Sequence, residues 1–350
     1  MRIDEIDKNF KPCEAPEGET GEWYSVKDEP FKIYGLKKII KGEKFARMNE
    51  DVAAKTSDGV KFLNYNTAGG RIRFKTDSSF ITIKAILPDT PLMAHFTRLG
   101  QSGFDLYKSD GGKYEYVSSF MPGGSEWSYK STAETDGKMH TYTINMPLYN
   151  DVEDVFIQLS EGAKLLPPEE YKITKPVLYY GSSITQGGCA SRPGNAYQNM
   201  VCRTFDCDYI NLGFSGNAKG EEIMAEYIAD IPASVFVYDY DHNAPDDEHL
   251  KKTHEKFFGI YRKKNPDTPV IFLSKPDYRT PSDEKRRRII LETYNNAVKN
   301  GDENVYFIDG AHIFDGVFRD SCTVDGCHPN DLGFARMAEK INEVLNEIRK

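Results

Sequence analysis

Two rhythms of apolar and polar positions run along the chain. Between about residues 30 and 160, apolar residues alternate with polar ones in short runs broken by turns. In residues 70–74, Ile72 and Phe74 fall on one side and Arg71 and Arg73 on the other; Ile81, Ile83 and Ala85 continue the alternation after a turn at 76–79. His140, Tyr142 and Ile144 alternate again, as do Val155, Ile157 and Leu159. A period of two predicts strands with one buried face. Residues 104–117 read as two strands around Asp110-Gly111-Gly112, a turn that needs positive φ. No long helical period interrupts the series, so an antiparallel sandwich or jelly roll is expected.

From about residue 176 the rhythm changes. Residues 177–180, 209–212, 235–238, 270–273 and 305–308 are unbroken apolar runs, and helical patterns separate them. Leu250, Phe257, Phe258 and Tyr261 form one helical stripe; Phe334, Met337, Ala338, Ile341, Leu345 and Ile348 form another. Apolar strands alternating with helices predict a parallel sheet covered on both faces. Pro167, Pro168 and Pro176 lie in a charged stretch between the two patterns, so the expected division is residues 1–170 and 171–350, with no internal repeat.

A length of 350 residues fits two domains. With 39% hydrophobic residues, 21 Tyr and 20 Phe, the chain can bury a core rather than remain disordered. Lys and Arg number 45 against 54 Asp and Glu, a net charge of −9, which disfavours nucleic acid and anionic membrane surfaces as partners. No run reaches the roughly 18 apolar residues of a membrane span. The acidic start, MRIDEIDKNF, is unlike a signal peptide, and six cysteines without a C-x-x-C pair read as reduced thiols. A cytoplasmic location is therefore expected, with disulfides and secretion left open.

In a parallel sheet, ligands sit beyond the carboxyl ends of the strands. The first such loop is Gly181-Ser182-Ser183-Ile184-Thr185-Gln186-Gly187-Gly188. A serine between strand and helix is exposed near a helix N-terminus, where developing negative charge is favoured. A plain turn or a phosphate loop is the other reading, but G-x-G-x-x-G and G-K-[ST] are missing, and Thr185 breaks G-x-S-x-G. The second loop offers a backbone N–H at Gly216. The third, Asp239-Tyr240-Asp241-His242-Asn243, has D-x-D-x-N spacing, but Ala244 and Leu250 occupy the glycine and glutamate positions of a calcium loop. Its Asn243 can donate an amide N–H into a site. In the last loop Asp325 and His328 stand three apart, close enough for a carboxylate to fix the imidazole tautomer. A surface pair capping the final helix, at Asn330 or Asp331, is the alternative.

Taken together, GSSITQG, NLGFSGNA, DYDHNA and DGCHPNDLGF occur in the order of the four blocks of the SGNH (GDSL-type) hydrolases, and the C-terminal half resembles that superfamily over about residues 175–350. The N-terminal half, with FKIYGL and NTAGGRIRF, resembles the β-sandwich that precedes the catalytic domain in one bacterial branch, an architecture also found among carbohydrate esterases. The resemblance implies a flavodoxin-like five-stranded parallel sheet behind a jelly-roll-like sandwich. It implies Ser183 as nucleophile, His328 as general base and Asp325 as its orienting acid. The implied oxyanion donors are Gly216, Asn243 and the Ser183 N–H. Ser182 departs from the Asp of the GDS signature and Asp241 from a glycine; neither change removes a reacting group. No cofactor and no metal are implied.

The other candidates rank lower. His242, beside Asn243, is the one extra histidine placed near substrate. His254 reads as a packed helix residue, His95 and His249 have no partner pattern, and His312 reads as a surface residue. Cys189, six residues past Ser183, lacks a neighbouring base signature and reads as inert, while Cys322 and Cys327 flank Asp325. The run 285–288 (KRRR) reads as a solvated helix face, and Trp23 and Trp127 as core, interface or sugar platforms. The expected function is hydrolysis of acetyl or other short acyl esters, with a small-molecule or oligosaccharide ester as substrate. An acyltransferase with the same site, or a carbohydrate-binding protein with a vestigial catalytic half, are the alternatives.

Overall fold

The structure, a computed structural model, describes residues 21–89, 92–122, 128–277 and 279–350 together with Ile6. The amino-terminal stretch, Cys13 and Trp127 lie outside the described residues. The alternating runs form ten strands: β1 (Trp23–Ser25), β2 (Lys32–Tyr34), β3 (Arg71–Thr76), β4 (Phe80–Ile86), β5 (Phe104–Asp110), β6 (Lys113–Phe120), β7 (Tyr129–Glu134), β8 (His140–Asn145), β9 (Asp154–Leu159) and β10 (Leu165–Leu166). One sheet has the order β1-β9-β4-β7 and the other β10-β3-β8-β5-β6, with β2 beside β3; all pairings are antiparallel. Gly111 (φ +55°) and Gly112 (φ +80°) make the β5–β6 hairpin turn. Ile72 and Phe74 from one sheet and Ile81, Ile83 and Ile157 from the other close an apolar core between them. A period-two pattern on each sheet dictates such face-to-face burial.

Among residues 21–170 that the structure describes, three short α-helices are too brief to show a helical period: α1 (Glu50–Thr56), α2 (Asp58–Leu63) and α3 (Arg98–Ser102). The second half contains β11 (Ile173–Gly181), α4 (Ser183–Gln186), α5 (Tyr197–Phe205), β12 (Cys207–Gly213), α6 (Glu222–Ala229), β13 (Val235–Asp239), α7 (Asp247–Lys264), β14 (Val270–Leu273), α8 (Pro281–Lys299), β15 (Val305–Ile308) and α9 (Asp331–Ile348). Its five strands are parallel in the order β12-β11-β13-β14-β15. Both faces of this sheet are buried, one against the α7 stripe and the other against the α9 stripe.

The two halves share their cores. Phe96, Leu148 and Tyr149 pack with Tyr179, Ile184 and Tyr197, while Met48, Val60 and Leu63 pack with Leu212, Phe214 and Met224. At Arg71 and Arg73 the polar face of β3 does not meet water. Arg71 is fully buried, donates to Asp208 Oδ1 (2.8 Å) and the Tyr209 carbonyl (2.7 Å), and lies 3.7 Å from the Tyr209 ring centroid. Arg73 stacks 3.9 Å from the Tyr171 ring. Arg47 donates to the carbonyls of Gly213 (2.6 Å) and Leu63 (2.6 Å); burial pulls its guanidinium down to about 9, still a cation at neutral pH. The arginine side of the period-two pattern is thus a docking face, where planar guanidinium groups satisfy carbonyls and stack on tyrosines.

Candidate active site

The loops singled out in the sequence leave one edge of the parallel sheet. Gly181 pairs in register with Gly213 on one side and Asp239 on the other, so the chain turns into all three loops at the same level. A Cβ on Gly181 would lie 2.2 Å from the Asp239 carbonyl oxygen, so the close approach demands glycine. Ser182 caps α4 by accepting from the Ile184 N–H (3.2 Å), the job the absent aspartate would do. That leaves Ser183 as the first residue of the helix.

Ser183 Oγ lies 2.9 Å from His328 Nε2, and His328 Nδ1 lies 2.7 Å from Asp325 Oδ2. The other carboxylate oxygen, Oδ1, accepts from the backbone N–H groups of Cys327 (2.9 Å) and His328 (2.7 Å). Partial burial opposes the Asp325 charge, but the His328 ring and these two N–H groups outweigh it and hold the carboxyl down at about 2. Asp325 is therefore an anion at any ordinary pH, able to hold the proton on Nδ1 and leave Nε2 as acceptor toward Ser183. The loop is closed by Val324 N–H donating to the His328 carbonyl (3.0 Å) and ends at Asn330, which caps α9 through the N–H groups of Leu332 and Gly333.

Gly216 follows β12 with φ +67°, a conformation that favours glycine, and the neighbouring Ser215 N–H donates to Gln186 Oε1 of α4 (2.9 Å). Asn243 follows β13. It is half-buried, and its amide oxygen is shielded from solvent without a partner among the described residues. That oxygen is an acceptor, to be met by a ligand donor, and the group that can serve an oxyanion is the Nδ2 amide nitrogen. Asp241, where a glycine was expected, is buried; Oδ2 accepts from the Lys275 N–H (2.8 Å) and Oδ1 faces His242 Nδ1. Burial alone would lower His242, but the Asp241 carboxylate, and after it the Cys327 thiol, raise it to about 10. His242 is thus held as a cation by Asp241 through Nδ1, while its Nε2 is buried without a hydrogen-bond partner among the described residues.

Of the residues set aside, His254 is buried against Thr293 Oγ1, and His312 sits on the surface beside Asp315. His95 is different. Thr97 Oγ1 donates to the Ser191 carbonyl (2.7 Å), and Gly100 passes so close to Ala190 that a Cβ would lie 2.0 Å from its oxygen. This contact carries His95 to His328, ring centroid to ring centroid 5.6 Å. Tyr149, also from the sandwich half, donates to the Ser183 carbonyl (3.1 Å). No local motif announces such long-range contacts.

A second omission has a sequence signal. Asp105 on β5 is fully buried and accepts from Asn145 Nδ2 (2.7 Å), the Gly194 N–H (2.7 Å) and Arg192 Nη1 (2.8 Å), while Tyr107 OH accepts from the same Arg192 (2.6 Å). Arg71, Asn145 and Asp105 pair across three adjacent strands, a polar row on the docking face. An acid and a tyrosine two apart on the side of β5 facing away from the sandwich core were the available clue.

A family model described as GDSL-like lipase/acylhydrolase matches residues 174–346. A second, described as the GxDLY N-terminus of SGNH-hydrolase-type esterases, matches residues 21–165; its name is spelled here by Gly103-Phe104-Asp105-Leu106-Tyr107. No curated protein sequence matches. A solved structure described as a GDSL-like lipase from Bacteroides ovatus ATCC 8483 is 30% identical, with TM-score 0.85 over 94% of this chain and 98% of its own. The salicylyl-acyltransferase SsfX3 of a tetracycline biosynthetic pathway is 17% identical (TM-score 0.75; 94% and 97% covered). A family two carbohydrate esterase from Cellvibrio japonicus is 12% identical (TM-score 0.62; 94% and 98% covered), and these last two likenesses concern the fold. The jelly-roll-like sandwich ahead of a flavodoxin-like sheet is as the sequence predicted, and the chain belongs to the GDSL-like lipase/acylhydrolase family of carboxylic ester hydrolases.

Proposed function

We propose that the protein is a serine esterase that removes acetyl or other short acyl groups, with an acylated carbohydrate as substrate. The observation that carries the mechanism is the Ser183–His328–Asp325 chain, with contacts of 2.9 and 2.7 Å. His328 Nε2 takes the Ser183 proton as Oγ attacks the ester carbonyl. The oxyanion that forms is met by the N–H groups of Ser183 and Gly216 and the Asn243 amide. His328 then gives its proton to the leaving alkoxide, and an acyl-enzyme remains. Water, deprotonated by the same imidazole, attacks that ester and frees Ser183. The reaction calls on no metal or organic cofactor.

Support for a sugar substrate comes from the shared fold with a family two carbohydrate esterase from Cellvibrio japonicus and with an acetyl xylan esterase from Butyrivibrio proteoclasticus. Acylated oligosaccharides and a series of chromogenic esters from acetate to octanoate test it. The expected result is release of acetate from the sugar and a kcat/KM that falls as the chain lengthens. Preference for octanoate with no release from sugars would contradict the reading. A transferase is the second reading, favoured by the full-length fold match to a salicylyl-acyltransferase, and would show as acyl transfer to an added alcohol in preference to water.

Asn243→Ala tests the oxyanion assignment. Losing one donor is expected to lower kcat about 10²–10³-fold with KM little changed, measured in steady-state kinetics on an acetate ester. An unchanged kcat would remove Asn243 from that role.

A further inference from the structure

His95 from the sandwich half, Cys189 from the turn after α4 and His328 hold one nitrogen or sulfur each within 4.8 Å of one another. Zinc bond lengths of about 2.0–2.3 Å to nitrogen and sulfur place tetrahedral ligands roughly 3.3–3.7 Å apart, so the cluster needs to close by about an ångström. His95 is exposed and can supply that movement, whereas Cys189 is buried in a left-handed turn (φ +79°) and stays fixed. His328 Nδ1 is taken by Asp325, so the nitrogen left to a metal is Nε2, the atom that faces Ser183. A carboxylate on the far nitrogen of a metal-bound histidine is the arrangement that fixes its tautomer and raises its basicity. Two imidazoles and a thiol select soft or borderline transition ions over Mg²⁺ and Ca²⁺, which need oxygen ligands.

We propose that His95, Cys189 and His328 bind a divalent transition ion such as Zn²⁺, and that its binding switches off ester hydrolysis by occupying His328 Nε2. The second half of this statement rests on His328 being the general base. As the metal–sulfur bond forms, the Cys189 thiol gives its proton to bulk water, and a water or hydroxide completes the coordination. The metal is an inhibitor that excludes the reaction and takes no part in it.

The experiment uses the full chain, with Co²⁺ and Zn²⁺ as the probes. Co²⁺ is expected to produce a thiolate-to-metal charge-transfer band. That band should be absent in Cys189→Ser, weakened in His95→Ala and kept in Ser183→Ala. His140, between Asp110 (2.7 Å) and Asp136 (3.1 Å), is an alternative nitrogen and oxygen site that would give no such band. Zn²⁺ is expected to inhibit acetate-ester hydrolysis, and the inhibition constant should rise about tenfold or more in Cys189→Ser and His95→Ala, each judged against its own metal-free rate. Mg²⁺ at the same concentration should leave the rate unchanged. Absence of the thiolate band, or equal inhibition of wild type and Cys189→Ser, overturns the site. A band with undiminished turnover overturns the inhibition. An active Ser183→Ala variant would instead refute the serine mechanism, and the charge-transfer band would still decide the metal site.

Discussion

Turnover of an acetate ester is expected to fall about 10⁴–10⁶-fold when Ser183 is replaced by alanine, with the fold unchanged. The size follows from the chemistry. Without Oγ there is no acyl-enzyme, and His328 is left able only to assist direct attack by water, aided by the oxyanion donors. KM is expected to move little, because an alanine at the start of α4 keeps the Ser183 N–H in place. His328→Ala and the double variant should be nearly as inactive as the single one, since groups that act as a unit are not additive. Circular dichroism and a urea midpoint matching wild type would show that the loss is chemical. A Ser183→Ala variant within tenfold of wild type would remove the serine from the mechanism.

Asp105→Ala is expected to cost about 3–5 kcal/mol of stability, read from urea unfolding, and to lower kcat as well. The carboxylate is fully buried and receives three donors, one of them the partly shielded Arg192. Removing it leaves the Arg192 guanidinium with only the neutral Tyr107 hydroxyl and the Gly194 N–H without its acceptor, and an unpaired buried charge or donor is more costly than the pair was stabilising. The effect on turnover travels through the loop that Arg192 and Gly194 belong to. Ser191 N–H and Asn195 Nδ2 in that loop donate to Asp331 at 2.8 and 2.7 Å, three residues past His328. A sandwich residue thereby braces the segment that presents the histidine. If Asp105→Ala unfolds too readily for kinetics, Tyr107→Phe removes only the phenol that accepts from Arg192 and should show a smaller loss of both stability and kcat. An Asp105→Ala protein as stable as wild type would contradict the account of the docking face.

Much of this was legible in the sequence, for identifiable reasons. Residues 270–273 are a strand as read, because a strand buried on both faces needs an unbroken apolar run, and the similar run at 305–308 forms the edge strand with Tyr306 and Phe307 half-buried. Ser183, Asp325 and His328 stand in loops whose small and polar residues follow such runs, and the structure brings their side chains into contact. The docking face was not legible. Arg71 and Arg73 have the spacing of a solvent face, and only the tertiary partners Tyr209 and Tyr171 make burial of their guanidinium groups tolerable. His95 lacked any local partner because its neighbours, Cys189 and His328, are distant in sequence and meet it only when α3 docks on the turn after α4. Asp241 stood out in the sequence only as a departure from glycine; its contacts with His242 and the Lys275 N–H are long-range or side-chain facts that no local motif carries.

The central claim is a covalent acyl-enzyme on Ser183. A bulky aryl ester that acylates readily and deacylates slowly should release one equivalent of phenol per chain in a burst. Digestion and mass spectrometry should then place one acyl group on Ser183, and Ser183→Ala should show neither burst nor label. Turnover with Ser183 unmodified, or with the acyl group carried by Cys189 or Cys327, would contradict it.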